Sequence, residues 1–190
     1  MSNELFNFYY DPARQGYDTT LWKTLSGTPG IVSSDLDLNA AGILYYGDIK
    51  DGDFTFDLVV PTVPSPGDTR IWGLAQANSQ IAIAFMISGV DFNAVIMNED
   101  GSTCTKLITT FEPGWAAAPI KYKISWKGSY VYFYVDGVLK AEFNDGDVDD
   151  SDPLVKVTIP KVALSPTVIN GVSDDLLIKD IQFQHIKTYI

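Results

Sequence analysis

Carboxylates are the residues in this sequence whose spacing could do chemistry. General acid–base cleavage of a glycosidic bond needs two carboxyl groups about 5–10 Å apart. Asp53 and Asp57 stand four residues apart, about 13 Å along an extended strand, which is too far. Asp35 and Asp37 stand two apart, about 6.6 Å on one face, a feasible separation. Their neighbours Leu36 and Leu38 read as core-facing, so the two aspartates are expected in water, as a solvated face. The acidic run from Asn144 to Asp152 places Asp145, Asp147 and Asp149 at the first, third and fifth positions of an EF-hand-like loop, a candidate calcium site. Asp150 stands where such a loop needs glycine and Lys156 where it needs a bidentate glutamate, so a solvated acidic turn is the favoured reading.

Other chemistries lack their ingredients. One cysteine, Cys104, and one histidine, His185, cannot assemble a zinc site. No Gly-x-Ser-x-Gly elbow accompanies the histidine, which lies in phase with Ile181 and Phe183 and reads as a core or edge residue. Cys104 reads as a small buried hydrophobe, and a lone cysteine suits a reducing compartment. No phosphate loop or dinucleotide fingerprint occurs. The net charge of −11 opposes a phosphate backbone, so nucleic acid is not an expected partner. No cofactor is expected apart from the calcium candidate, and no catalytic residue is assigned.

Rings are the other chemical resource, at 13% of the chain. Tyr130, Tyr132 and Tyr134 alternate with Val131, Phe133 and Val135, so the tyrosines share the face opposite the core. Lys121, Lys123 and Ser125 on the preceding strand share that face. Such a stripe offers apolar area and hydroxyls to a sugar or a protein; the competing reading is a covered face. Trp115, in a loop, and Tyr45 with Tyr46 beside Gly47 are further candidate platforms. Trp22 and Trp126 are assigned to packing.

The elements that must carry these residues are strands. Alternating apolar residues and turn signals at eight- to twelve-residue spacing run through the 190 residues, with no sustained helical period. Leu5 to Tyr10 is aromatic at both phases and is expected to be covered on both sides. Pro61 to Gly67 must be a loop. Asp100-Gly101 and Asp136-Gly137 mark hairpins. Pro160 to Asp175 reads as irregular, with a short strand near Val162 to Leu164. A phase slip near Lys179-Asp180 signals a bulge in the last strand. The longest apolar run, Ile81 to Ile87, is of strand length, so no membrane insertion is expected. Met1 to Tyr10 has neither a basic start nor an apolar core, so no signal peptide is expected, and a virion surface or the cytoplasm fits best.

Gly52-Asp53-Phe54-Thr55-Phe56, Ile71-Trp72-Gly73-Leu74, Tyr122-x-Ile124-x-Trp126, Val131-x-Phe133-Tyr134-Val135-Asp136-Gly137 and Leu176 to Ile181 follow one another in an order that resembles the concanavalin A-like lectin/glucanase superfamily. The resemblance implies an all-β fold, a two-sheet antiparallel jelly-roll sandwich. Laminarinase-like enzymes of that superfamily carry a Glu-x-Asp-x-x-Glu type strand. The most similar positions here are Gln80, Ala82 and Ala84, without a carboxylate. The expectation is therefore a non-catalytic single domain over 1–190, with 1–25 a segment that packs on the sandwich or on a neighbouring subunit. It would bind glycans or act as an attachment or decoration component of a larger assembly, such as a phage or viral particle, with glycans and other subunits as partners. Two alternatives stay open: a purely structural subunit, and a glycoside hydrolase or lyase with an atypical carboxylate pair.

Overall fold

The computed structural model describes residues 2–62, 64–76, 78, 80–98, 100–111, 118–150 and 152–189, with side chains for 7–184 within these ranges. In chain order the elements are β1 (Ser2–Tyr10), the one-turn helix α1 (Pro12–Gln15), β2 (Trp22–Ser26), β3 (Gly30–Val32), β4 (Asp35–Asp37), β5 (Gly42–Tyr45), β6 (Gly52–Val59) and β7 (Thr69–Ala75). There follow β8 (Ile81–Ser88), β9 (Asp91–Met97), β10 (Thr103–Thr110), β11 (Ile120–Lys127), β12 (Tyr130–Val135), β13 (Val138–Asn144), β14 (Ser165–Asn170) and β15 (Leu177–Tyr189). One sheet runs β13-β12-β11-β6-β15-β4-β3, with β1 added alongside β15; the other runs β10-β9-β8-β7-β14-β5-β2.

The alternation read from the sequence is what closes the sandwich. Phe54, Phe56 and Leu58 of β6, Tyr122, Ile124 and Trp126 of β11, and Val131 and Phe133 of β12 are buried on one inner face. Trp72 of β7, Phe85 of β8 and Phe92 of β9 answer them from the other sheet, with Trp72 and Tyr122 at 4.8 Å and Phe85 and Phe133 at 5.0 Å between ring centroids. Each such side chain contributes about 1.5–3 kcal/mol of burial. A second ring cluster seals the other end: Phe8 stacks on Phe183 at 4.3 Å, with Trp22 and Tyr45 against them. That cluster fixes β1 on β15. Within the first 25 residues β1 pairs with β15 and β2 with β5.

Several expectations need correction. Over its described side chains, Asn7 to Tyr10, β1 is covered on one face only: Tyr10 is buried while Tyr9 is 53% exposed. Asp35 does not sit in water; it is 7% exposed, and Lys179 Nζ lies 2.6 Å from its Oδ2. The bulge at Lys179 supplies that ammonium. The strand foreseen near Val162 to Leu164 is β14, which runs from Ser165 and lies between β7 and β5. Pro166 hid it, because proline is usually confined to edges. The strand tolerates it because pairing with β5 starts only at Thr167.

Candidate functional site

The outer face of the first sheet carries the tyrosine stripe together with Asp53 and Asp57. Opposed residues in an antiparallel ladder share a face, so the registers define rows across the strands. One row joins Tyr134, Lys123, Thr55, Gln182 and Tyr9. The next joins Tyr132, Ser125, Asp53, Gln184 and Asn7. On the other side of the first, Lys121, Asp57 and Asp180 stand in line. The tyrosine stripe is where the alternation placed it. Tyr130 and Tyr132 lie with parallel rings 6.4 Å apart, and Lys123 Nζ sits 5.7 Å from the Tyr134 ring.

Asp57 and Asp180 form a carboxylate pair that strand-by-strand reading missed, because they are distant in sequence. The register of β15 shifts between Ile178 and Asp180. Ile178 faces the core against Leu58, Lys179 is the extra residue, and Asp180 emerges on the outer face directly opposite Asp57. A bulge re-aims a side chain in this way. Opposed Cβ atoms stand about 4.5–5.5 Å apart. Burial, then the Asp57 charge, pushes the Asp180 carboxyl above its ordinary range. Burial also raises Asp57, against the pull of Lys121 and Lys179, and Asp57 Oδ1 is buried without a hydrogen-bond partner. Two carboxyls that resist ionisation side by side can share one proton, which divides them into an acid and a base.

Asp53 behaves oppositely. Partial burial alone would raise it, but hydrogen bonds from Lys123 and Ser125 outweigh that and hold it below the usual carboxylate range. Lys123 Nζ lies 2.7 Å from Oδ2, and Ser125 Oγ donates to Oδ1 at 2.6 Å. Asn7, Tyr9, Asp53, Thr55, Lys123, Gln182 and Gln184 line a groove of about 570 Å³ on this face.

The remaining candidates are not gathered here. Tyr45 belongs to the sealing ring cluster, 5.0 Å from both Phe8 and Phe183, so it is a packing residue. Tyr46 is exposed beyond the end of β5, in the other sheet. Trp115 lies outside the described residues. Asp145, Asp147 and Asp149 do not converge as cation ligands. Asp145 accepts from the Ile159 amide and Lys161, Asp147 from Asn144, and Asp149 from the amides of Thr105 and Asp152. Among the described residues no group of three or more His, Cys, Asp or Glu side chains could hold a metal ion. Ala82 and Ala84 on β8 are buried, and no acidic side chain occupies that strand.

No family model and no curated protein matches the chain. Solved structures do. The laminarinase catalytic domain from Thermotoga maritima MSB8 superposes with a TM-score of 0.67 at 12% identity, over 100% of both chains. The Bacillus licheniformis β-glucanase gives 0.64 at 13% identity, over 93% of this chain and 97% of the other. The carbohydrate binding module CBM66 from Bacillus subtilis gives 0.55 at 10% identity, over 85% and 94%. These neighbours contradict the expectation of a non-catalytic chain, which rested on neutral residues along β8: glucanase and laminarinase domains share this fold. That expectation searched one strand, whereas Asp57 and Asp180 face each other across two. The chain has the concanavalin A-like jelly-roll fold, and with it the architecture of β-glucanases and laminarinases.

Proposed function

We propose that this chain is a carbohydrate-active protein that binds a neutral polysaccharide on the outer face of the first sheet and cleaves it with Asp57 and Asp180. The observation that carries the proposal is the direct opposition of these residues on β6 and β15. A Cβ separation of about 5 Å suits the short carboxyl spacing of retaining glycoside hydrolysis better than the wider spacing of inversion. Lys121 and Lys179 favour the charged form of Asp57, which becomes the nucleophile. Asp180, raised by burial and then by the Asp57 charge, is assigned the proton and the role of acid.

Asp57 attacks the anomeric carbon as the glycosidic bond breaks, and Asp180 gives its proton to the departing oxygen. Water then attacks the glycosyl ester and returns its proton to Asp180, which frees Asp57 and releases the sugar. Tyr130, Tyr132 and Tyr134 extend the face as ring platforms for further sugar units. The fold neighbours suggest β-1,3- and β-1,3-1,4-glucans as the first substrates to try. Release of reducing ends should fall at least 100-fold in Asp57→Asn and in Asp180→Asn, with the fold retained by circular dichroism. Wild-type protein that binds glucan but releases no reducing ends would exclude the catalytic role.

A second reading, contact with other subunits, is favoured by exposed Leu107 on β10 and by Val138 and Leu139 on β13, the outermost strands of the two sheets. A mass measured by light scattering that stays at one chain up to high concentration would remove it.

A further inference from the structure

We infer that the groove between Lys123 and Tyr9 is a recognition subsite for one pyranose unit with free vicinal hydroxyls, centred on the Asp53 carboxylate; the inference rests on the carbohydrate reading above. The groove's volume, about 570 Å³, lies within the range of small-ligand sites, roughly 300–1,000 Å³. It crosses three strand spacings, from β11 through β6 and β15 to β1, about 14 Å at about 4.8 Å each. Its polar groups converge from four strands that the core holds rigid.

Their chemistry selects the ligand. Asp53 is ionised and cannot turn, because Lys123 and Ser125 each hold one of its oxygens. A carboxylate has about four acceptor positions, so both oxygens can still accept from hydroxyls. Lys123 has donors beyond the one directed at Asp53. Gln184 Nε2 donates to Asn7 Oδ1 at 2.7 Å, which leaves the Gln184 carbonyl oxygen and the Asn7 amide nitrogen for a ligand. Gln182 Nε2 donates to Asp180 Oδ1 at 3.2 Å, which leaves its own oxygen. The groove therefore offers both acceptors and donors, which suit a ring bearing hydroxyls, each both donor and acceptor. Lys123 is already neutralised by Asp53, so a phosphate or carboxylate finds no unpaired cation there. The exposed Tyr9 ring, in one row with Gln182, supplies an edge for the sugar's apolar face.

Gln182 also ties this subsite to the carboxylate pair. The same side chain lines the groove and touches Asp180, so a sugar held in the groove would present its neighbouring linkage to Asp57 and Asp180.

The test is calorimetric titration of the intact chain with β-linked glucose oligosaccharides of two to six units, and with the same oligosaccharides methylated at the hydroxyls. Asp53→Asn should weaken binding at least tenfold, Gln182→Ala and Gln184→Ala severalfold each, and methylation should abolish it. Asp145→Asn, on a distant loop, serves as the control for surface charge. Gln182→Ala guards against a folding defect, since its side chain lies on the outer face of β15 and not in the core. Wild-type affinity in Asp53→Asn and Gln182→Ala, or unimpaired binding of methylated sugar, overturns the subsite. If glucan is still cleaved with KM unchanged in those variants, the groove fails and the carbohydrate reading stands. If the wild type neither binds nor cleaves any of the sugars, both fall.

Discussion

Two aspartates on one sheet face titrate in opposite directions, and that contrast makes the residue scale testable. Asp180 has a folded-state pKa raised above the ordinary 3.8 by burial and by Asp57. Such a group favours the fold where it is protonated, and this contribution is lost as pH rises through its folded value. Asp180→Asn should therefore raise the melting temperature at pH 7 by roughly 2–4 °C, the shift that about 1 kcal/mol produces in a domain of this size. The gain should vanish as pH falls below the ordinary 3.8, where the carboxyl is protonated in both the folded and the unfolded chain. Asp53 has a lowered pKa, so its contribution is present above about pH 4 and is lost as pH falls further. Asp53→Asn should lower the melting temperature at pH 7, with the deficit narrowing as pH falls below the ordinary 3.8. Scanning calorimetry of the two variants across pH 3–8 checks both signs. Movement of the two variants in the same direction at pH 7 would contradict the electrostatic picture of this face.

The elements show why part of the site could be read from the sequence and part could not. Tyr130, Tyr132 and Tyr134 were legible because their shared face depends only on alternation within β12. The Val135-Asp136-Gly137-Val138 hairpin was legible because two adjacent residues with positive φ, 48° and 78°, define that turn chemically. The slip at Lys179-Asp180 was legible as a bulge, but its consequence was not, because facing Asp57 depends on which strand pairs with β15. Asp35 was misplaced for the same reason: its partner is the bulged Lys179, not a residue of its own strand. β14 escaped because Pro166 obeys an edge rule that its late pairing with β5 relaxes. Deleting Lys179 should straighten the ladder with Asp180 still outward and Ile181 and Phe183 still inward, at the loss of the Lys179–Asp35 ion pair. Cooperative unfolding in urea at modestly reduced stability is the expected result, and loss of cooperativity would contradict the bulge. A milder test of strand approach is Gly73→Ala on β7. A Cβ there would meet the Ile83 carbonyl oxygen at 2.2 Å and Ala84 Cα at 2.5 Å, so β7 and β8 must part, at a cost on the order of 3 kcal/mol in the urea-derived stability.

Across the whole molecule, charge decides which polysaccharide can approach. The chain carries 24 acidic and 13 Lys or Arg residues, a net charge of −11. On the candidate face Lys123 is paired with Asp53, and Lys121 stands opposite Asp57. A cation-rich patch that could draw a uronate or sulfated chain against the overall field is therefore not formed by these lysines. A neutral glucan experiences no such field, and its hydroxyls meet the paired groups at contact range, where salt screens little. The two ligand classes should then respond differently to ionic strength. Binding of a neutral β-glucan should change by less than about twofold between 0.05 and 0.5 M NaCl, a range over which the Debye length falls from roughly 14 to 4 Å. Binding of a carboxymethylated form of the same glucan should be weaker at low salt, because the molecule's field repels it, and should recover partly as salt rises. Affinity electrophoresis in gels containing each polymer measures both. Tighter binding of the anionic polymer at low salt would place the ligand at a cationic surface elsewhere, and would take the outer face of the first sheet out of the mechanism.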